Sequence, residues 1–476
     1  MKETPVRLRP IILSIPLLWL SACTIGPEYS RPDVVLPDRF TEAGGTWQTA
    51  QPDAYTVPEH WWRVFDDAEL DRLEARVAID NQSLRVAEAQ YRAARAAVDS
   101  ARAARLPEVT GTASASRGRA QGESVNNHGS LSASAGWEVD LWGRVRRTIE
   151  TAQARAESSA DDLASARLSI QALLAQTWFQ LRATDLQHQL LQRTLDADTR
   201  FLQLTRDRHS AGVASGLDIA QADTQLGNVR AQLSEIELQR AQLSHALTVL
   251  LGGKETQFAT ATALPPVPAL PELLPSTVLQ RRPDIASAER LAAAANAQIG
   301  LARTAYFPVL DLGANGGFGA SVLNQLFSAS GRFWSLGPGL AMALFDGGAR
   351  HAAVEQARAG YDQAVATYRQ TVLTAFQEIE DNLAAARLLR QEASEQTLTL
   401  AAARRARAYA EDQYRAGTIS SLNVISTQTA ELAAEINLTS IQIRQLTASV
   451  VLLKNTGGLP ATPDPALVNA SQRQSG

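Results

Sequence analysis

The chain is written twice. Gly212, Leu217 and Asp218 of one stretch correspond to Gly417, Leu422 and Asn423 of another, about 205 residues later. The flanks repeat in the same order: Leu106-Pro107 with Phe307-Pro308, Trp142-Gly143 with Asp346-Gly347, and Leu251-Gly252 with Thr456-Gly457. A duplicated block suits closed rings and tubes, in which like surfaces meet. Function is therefore to be sought in a wall and a lumen, not in a single catalytic pocket.

Each copy joins two unlike patterns. Residues 108–118 and 130–141 alternate, with Thr110, Thr112, Ser114 and Ser116 opposing Val109, Gly111, Ala113 and Ala115. On the return strand Leu131, Ala133, Ala135 and Trp137 oppose Ser132, Ser134 and Glu138. In the second copy Leu310, Leu312 and Ala314 face one way, and Trp334, Leu336, Leu340, Met342 and Leu344 line the returning strand. Period two over about ten residues is the length of a transmembrane barrel strand.

The other pattern is helical. From Gly143 to Gly212, and again from Gly347 to Gly417, no proline intervenes. Leu163, Ala166, Ile170, Leu174 and Leu181 lie at alternating spacings of mostly three and four. Val354, Ala357, Tyr361, Tyr368 and Val372 do the same in the second copy. That is a coiled-coil seam, and each such helix reaches roughly 100 Å. Return helices over about 218–251 and 422–455 are half as long. Lead-in helices over about 67–105 and 284–305 precede the strands, the first capped by Asp66 or Asp67. Few aromatic residues (6%) and abundant alanine agree with a mainly helical chain.

The first residues form a leader. Lys2, Arg7 and Arg9 precede the apolar stretch Ile11–Leu20, too short to span a bilayer as a helix. Leu20-Ser21-Ala22-Cys23 matches a bacterial lipoprotein signal, and Cys23 is the only cysteine, so no internal disulfide forms. Cys23 then becomes an acylated N-terminus, a strong anchor. Thr24, where aspartate signals inner-membrane retention, points to the outer membrane. The organisation expected is a signal peptide at 1–22, a lipidated arm at 23–66 and a first repeat at 67–255. A connector at 256–283, a second repeat at 284–457 and a loose tail at 458–476 complete it.

Catalytic chemistry is not in the pattern. The six histidines are scattered without a helical His pair, so no metal site is expected. Gly252-Gly253-Lys254 lacks the rest of a phosphate loop, and Gly212 to Gly216 is misspaced for a nucleophile elbow. A net charge of −4 supplies no basic field for nucleic acid. The reading is of no enzyme and no cofactor beyond the lipid on Cys23.

At this point the residues resemble the TolC-type outer-membrane efflux proteins, in the lipoprotein branch with OprM-like and NodT-like members. The likeness rests on Cys23 to Pro32, Trp61-Trp62 with Phe65 and Asp67, Trp137 to Arg146, and Arg281 to Ile285, in order along the chain. It implies a mainly α fold with a transmembrane β component. Four strands from each of three protomers form a 12-stranded barrel, continued by a long periplasmic helical barrel. Barrel closure independently demands partners, because four strands leave open edges that lipid does not tolerate.

The resemblance also implies the function: an outer-membrane duct for drugs or small molecules. Its partners are two further copies, a periplasmic adaptor, an inner-membrane pump of the resistance-nodulation-division type, and outer-membrane lipid. It makes the turns at Gly212 and Gly417 the closed tip, where Asp218 and Tyr414 stand at the family's inter-helix hydrogen bond. Leu422, Asn423, Ser426 and Thr429 then stand at the constriction. Here the chain departs from relatives with aspartates at 423 and 426, and Ile419 and Thr429 replace arginines. Neutral side chains predict weak block by multivalent cations. A duct for type I protein secretion is the alternative of the same class. A structural coiled-coil envelope lipoprotein is the alternative of another.

Overall fold

The computed structural model describes residues 25–34, 40, 42, 60–119, 121, 125–254, 257–268, 282–321 and 325–457. The leader, Cys23, most of the proline-rich arm, the middle of the connector and the tail lie outside the described residues.

From the 22-residue helix ahead of each strand pair onward, the duplication is preserved in helix, strand and helix order among the described residues. A 3-10 turn, Trp61–Phe65, leads into α1 (Ala68–Asp80) and α2 (Gln82–Ala103). Strands β1 (Glu108–Gly118) and β2 (Asn126–Glu138) precede α3 (Arg144–Ser210) and α4 (Gly216–Leu250). The second half supplies α5 (Pro283–Thr304), β3 (Val309–Ala320), β4 (Arg332–Ala341), α6 (Ala349–Arg415) and α7 (Ser421–Asn455). Both α3 and α6 have 67 residues, α4 and α7 have 35, and α2 and α5 have 22. At 1.5 Å per residue the longest are about 100 Å.

Three expectations need correction. The lead-in helix over 67–105 is two helices. Asn81 is extended (φ −67°, ψ 123°), accepts from the Leu84 amide at 3.0 Å, and donates to the Leu250 carbonyl at 2.9 Å. A side chain that competes for backbone groups ends one helix and starts the next. The expected strand over 130–141 is displaced to 126–138, because Asp140 turns away to cap α3 through the amides of Val145 and Arg146, both at 3.0 Å. Met342 and Leu344 fall beyond β4, because Asp346 caps α6 in the corresponding way through Gly348 and Arg350.

The chain packs as two compact units, and neither is one repeat. Among the described residues, the first falls within Met1–Asp33, Ala89–Ala160 and Ser287–Arg369, and the second within Val34–Glu88, Asp161–Ala286 and Gln370–Gly476. The second unit holds the larger core. Trp178, Phe179, Leu174 and Leu181 of α3 meet Trp61, Phe65, Leu70, Leu73 and Val77, together with Leu247, Leu446 and Val450. Asp67 caps α1 through Glu69 and Leu70 and accepts from the Trp178 indole at 3.0 Å.

In the first unit the four strands form one open antiparallel sheet, ordered β1-β2-β3-β4. Its register aligns Ala135, Ala314 and Leu336 across three strands, and Trp137, Leu312 and Pro338 beside them. The alternate rows are polar or small. Thr112 lies opposite Ser132, and the hydroxyls of Ser114 and Ser130 are hydrogen-bonded at 2.7 Å. Phe333 is an exception on that face. In the single chain Trp334, Leu336 and Leu340 are 70–79% exposed. A sheet with an uncovered apolar face and two unpaired edges is not a finished soluble structure.

Candidate functional site: the helical turns and the arm seat

The two hairpin turns are built alike because the same backbone bonds close both. Gly212 (φ +75°) donates to His209, and Val213 to Arg208. Gly417 (φ +78°) donates to Tyr414, and Thr418 to Gln413. Left-handed glycine after a helix satisfies the last carbonyls at little steric cost.

The starts of the next helices differ. At α4, Ser215 and Asp218 form a capping box: the Asp218 amide donates to Ser215 Oγ at 3.2 Å, and the Ser215 amide to the Asp218 carboxylate at 2.8 Å. At α7, Ser420 makes no side-chain capping bond, and Asn423 stands where the box would need an acid. Asp218 reaches across instead, accepting from the hydroxyl of Ser421, which is fully buried. Bonds from Ser215 and then Ser421, with Arg208 nearby, hold the Asp218 carboxyl below the usual aspartate range.

A second tie joins α3 to α6. Arg208 donates to the Tyr414 carbonyl at 2.9 Å, and its guanidinium lies 4.5 Å from the Tyr414 ring centroid. The ring also packs on Phe201, while its buried hydroxyl has no hydrogen-bond partner among the described residues. Asp218 and Tyr414 thus each make an inter-helix contact, but with Ser421 and Arg208 respectively and not with one another.

Leu422, Asn423, Ser426 and Thr429 are all exposed and share one face of α7. The opposite face buries Ser421, Val424 and Gln428. Gln428, about two turns into α7, donates to Asp198 of α3. Arg208, Ser421, Asp198 and Gln428 were not anticipated from the sequence. A usable signal did exist: each stands where the two copies differ.

In the other unit, the arm has a seat. Gly26 (φ +116°) comes so close to α5 that a Cβ there would lie 2.4 Å from the Gly300 Cα. Arg147 donates to the Ile25 carbonyl at 3.2 Å, and Tyr29 to Glu289 at 2.6 Å. Arg31 donates to the Tyr368 hydroxyl at 3.1 Å. Ile25, Tyr29 and Arg31 are therefore held by specific polar contacts.

This chain matches the Outer membrane efflux protein family at residues 75–253 and 274–458. It is 32% identical over 457 residues to the antibiotic efflux pump outer membrane protein ArpC of Pseudomonas putida, covering 94% of each chain. It is also 32% identical over 461 residues to the pyoverdine export outer membrane protein OpmQ of Pseudomonas aeruginosa, covering 93% of this chain and 95% of that one. The solved outer-membrane channel OprN superposes with a TM-score of 0.82 at 31% identity, covering 92% of this chain and 99% of the other. The chain belongs to the Outer membrane efflux protein family, as an outer-membrane efflux channel of the trimeric TolC type.

Proposed function

We propose that this channel is the passive outer duct of a three-part exporter, completed by a periplasmic adaptor and an inner-membrane pump of the resistance-nodulation-division type. It binds no cofactor and carries no catalytic residue; the pump supplies the energy. The observation that carries this reading is the joining, on one chain, of an open-edged amphipathic sheet to two hairpins of 67- and 35-residue helices. Sheets of that kind need further copies to close in lipid. Two relatives, each 32% identical to this chain, are named for antibiotic efflux and for pyoverdine export, which favours cargo selection by the pump.

Cys23 is the proposed acylation site, and the seat around Gly26, Tyr29 and Arg31 supports it by fixing the adjoining arm. Leu422, Asn423, Ser426 and Thr429 are proposed to line the constriction, one set from each copy. Asp218 and Tyr414, through Ser421 and Arg208, hold the hairpins together there.

The test is reconstitution in cells lacking their own outer-membrane channel. Expression with a cognate adaptor and pump should lower accumulation of a fluorescent pump substrate, and purified protein should be a trimer that conducts ions. A non-conducting monomer would overturn the reading. Cys23→Ser should retain trimeric function only where another signal secures the arm.

A further inference from the structure

Two carboxyl groups, Asp218 at the tip and Asp198 further along α3, lie in opposite settings. Asp218 accepts three hydrogen bonds, from the Ser215 amide, the Ser215 hydroxyl and the Ser421 hydroxyl. Such a group is best served by its charge. Asp198 is 2% exposed on α3, accepts from Gln428 of α7, and leaves its second oxygen without a well-formed hydrogen bond. A charge buried with so few donors is costly, whereas a neutral acid can still bond to a glutamine, whose amide both donates and accepts.

We propose that Asp198 is a proton-operated tie, whose neutral form holds α7 against α3 beneath the tip, so that mild acidification of the periplasm tightens the closed end. This rests on the reading of the tip as the gate. The groups facing Asp198 are Gln428 from α7, Gln225 from α4 and Arg407 from α6. Arg407 is itself occupied by Glu411 at 2.8 Å and Glu431 at 3.1 Å. Burial outweighs these groups and pushes the Asp198 carboxyl above its ordinary range. The sign follows: a raised carboxyl contributes stability that is fully present in acid and lost as pH rises through the raised value. Asp218, shifted the other way, keeps its bonds through mild acid and loses them only below the ordinary aspartate range. His209, whose ring nitrogen meets the Ala214 carbonyl at 2.8 Å, is, like Asp207, another titratable side chain of that turn and needs a control.

The experiment is hydrogen exchange on the reconstituted trimer between pH 4 and 8, with variants compared at the same pH, alongside single-channel conductance. Protection of amides 421–428 in the unmodified protein should rise on acidification by up to about tenfold per pH unit across the titration. Asp198→Asn, which imitates the neutral acid, should be highly protected and flat. Asp218→Asn should lower protection yet keep the slope, and so should His209→Gln without the lowering. A slope retained in Asp198→Asn would overturn the proposal, as would flat, low protection. If protection follows pH as expected while conductance does not, the tie stands and the tip is not the gate.

Discussion

Asp218 and Ser421 are joined across the two hairpins: the carboxylate that closes the capping box of α4 also accepts from the hydroxyl at the first turn of α7. One acid therefore serves two helices, and the helix lacking its own box is the one bearing Leu422, Asn423, Ser426 and Thr429. Ser421→Ala removes the cross-tie and leaves the α4 cap intact. For a tie that is only partly shielded from water, about 1 kcal/mol is at stake, so opening should become roughly fivefold more frequent in single-channel records. Asp218→Ala should do more, because it also removes the cap, typically worth about 1 kcal/mol.

Arg208 and Tyr414 separate charge from shape. Arg208 uses one nitrogen on the Tyr414 carbonyl and its planar face on the ring. Lysine keeps the charge and loses the flat, forked geometry. Arg208→Lys should therefore open nearly as readily as Arg208→Ala. Tyr414→Phe should be close to neutral, because the hydroxyl has no partner to lose among the described residues.

The copies' likeness revealed the fold, and their differences mark the site. Period two in the strands and the three–four seam in α3 and α6 are set by local burial, so they were legible. Breaks made by single side chains, at Asn81, Asp140 and Asp346, were not, because a cap depends on where the chain turns in space. The tip ties are of the same kind. Asp218 faces Asn423 in the alignment of the copies, Ser421 faces Gly216, Arg208 faces Gln413, and Asp198 faces Ala403. A contact between two pseudo-equivalent hairpins needs a donor on one and an acceptor on the other, so it must break the repeat.

Neutral residues on the exposed face of α7 predict an ion response. Three copies of Asn423, Ser426 and Thr429 supply no carboxylate ring to hold a multivalent cation. Planar-bilayer conductance should be little reduced by trivalent cations. Ser426→Asp should introduce block that deepens with cation charge and fades in high salt, as screening requires.

The arm seat leaves no room for a side chain. Gly26→Ala would force a left-handed residue and a Cβ against the Gly300 backbone, and Gly300→Val would strike Arg147 and the Ile25 carbonyl. Either change should release the arm. The expected readout is faster proteolysis near residue 30 and a lower yield of trimer from native envelopes, with the isolated helices unchanged by circular dichroism.

Glu74 offers a stability test away from the tip. It is fully buried on α1, both carboxylate oxygens lack hydrogen-bond partners among the described residues, and burial, reinforced by Asp71, pushes its carboxyl well upward. The folded chain thus binds this proton more tightly than the unfolded chain. Its stabilising effect is complete below the ordinary glutamate value and is lost as pH rises through the raised one. Glu74→Gln keeps the shape without the proton equilibrium. Thermal midpoints of the two proteins should coincide in acid and diverge with rising pH, the variant becoming the more stable. A constant difference across that range would show that the carboxyl is held charged by a group beyond the described residues.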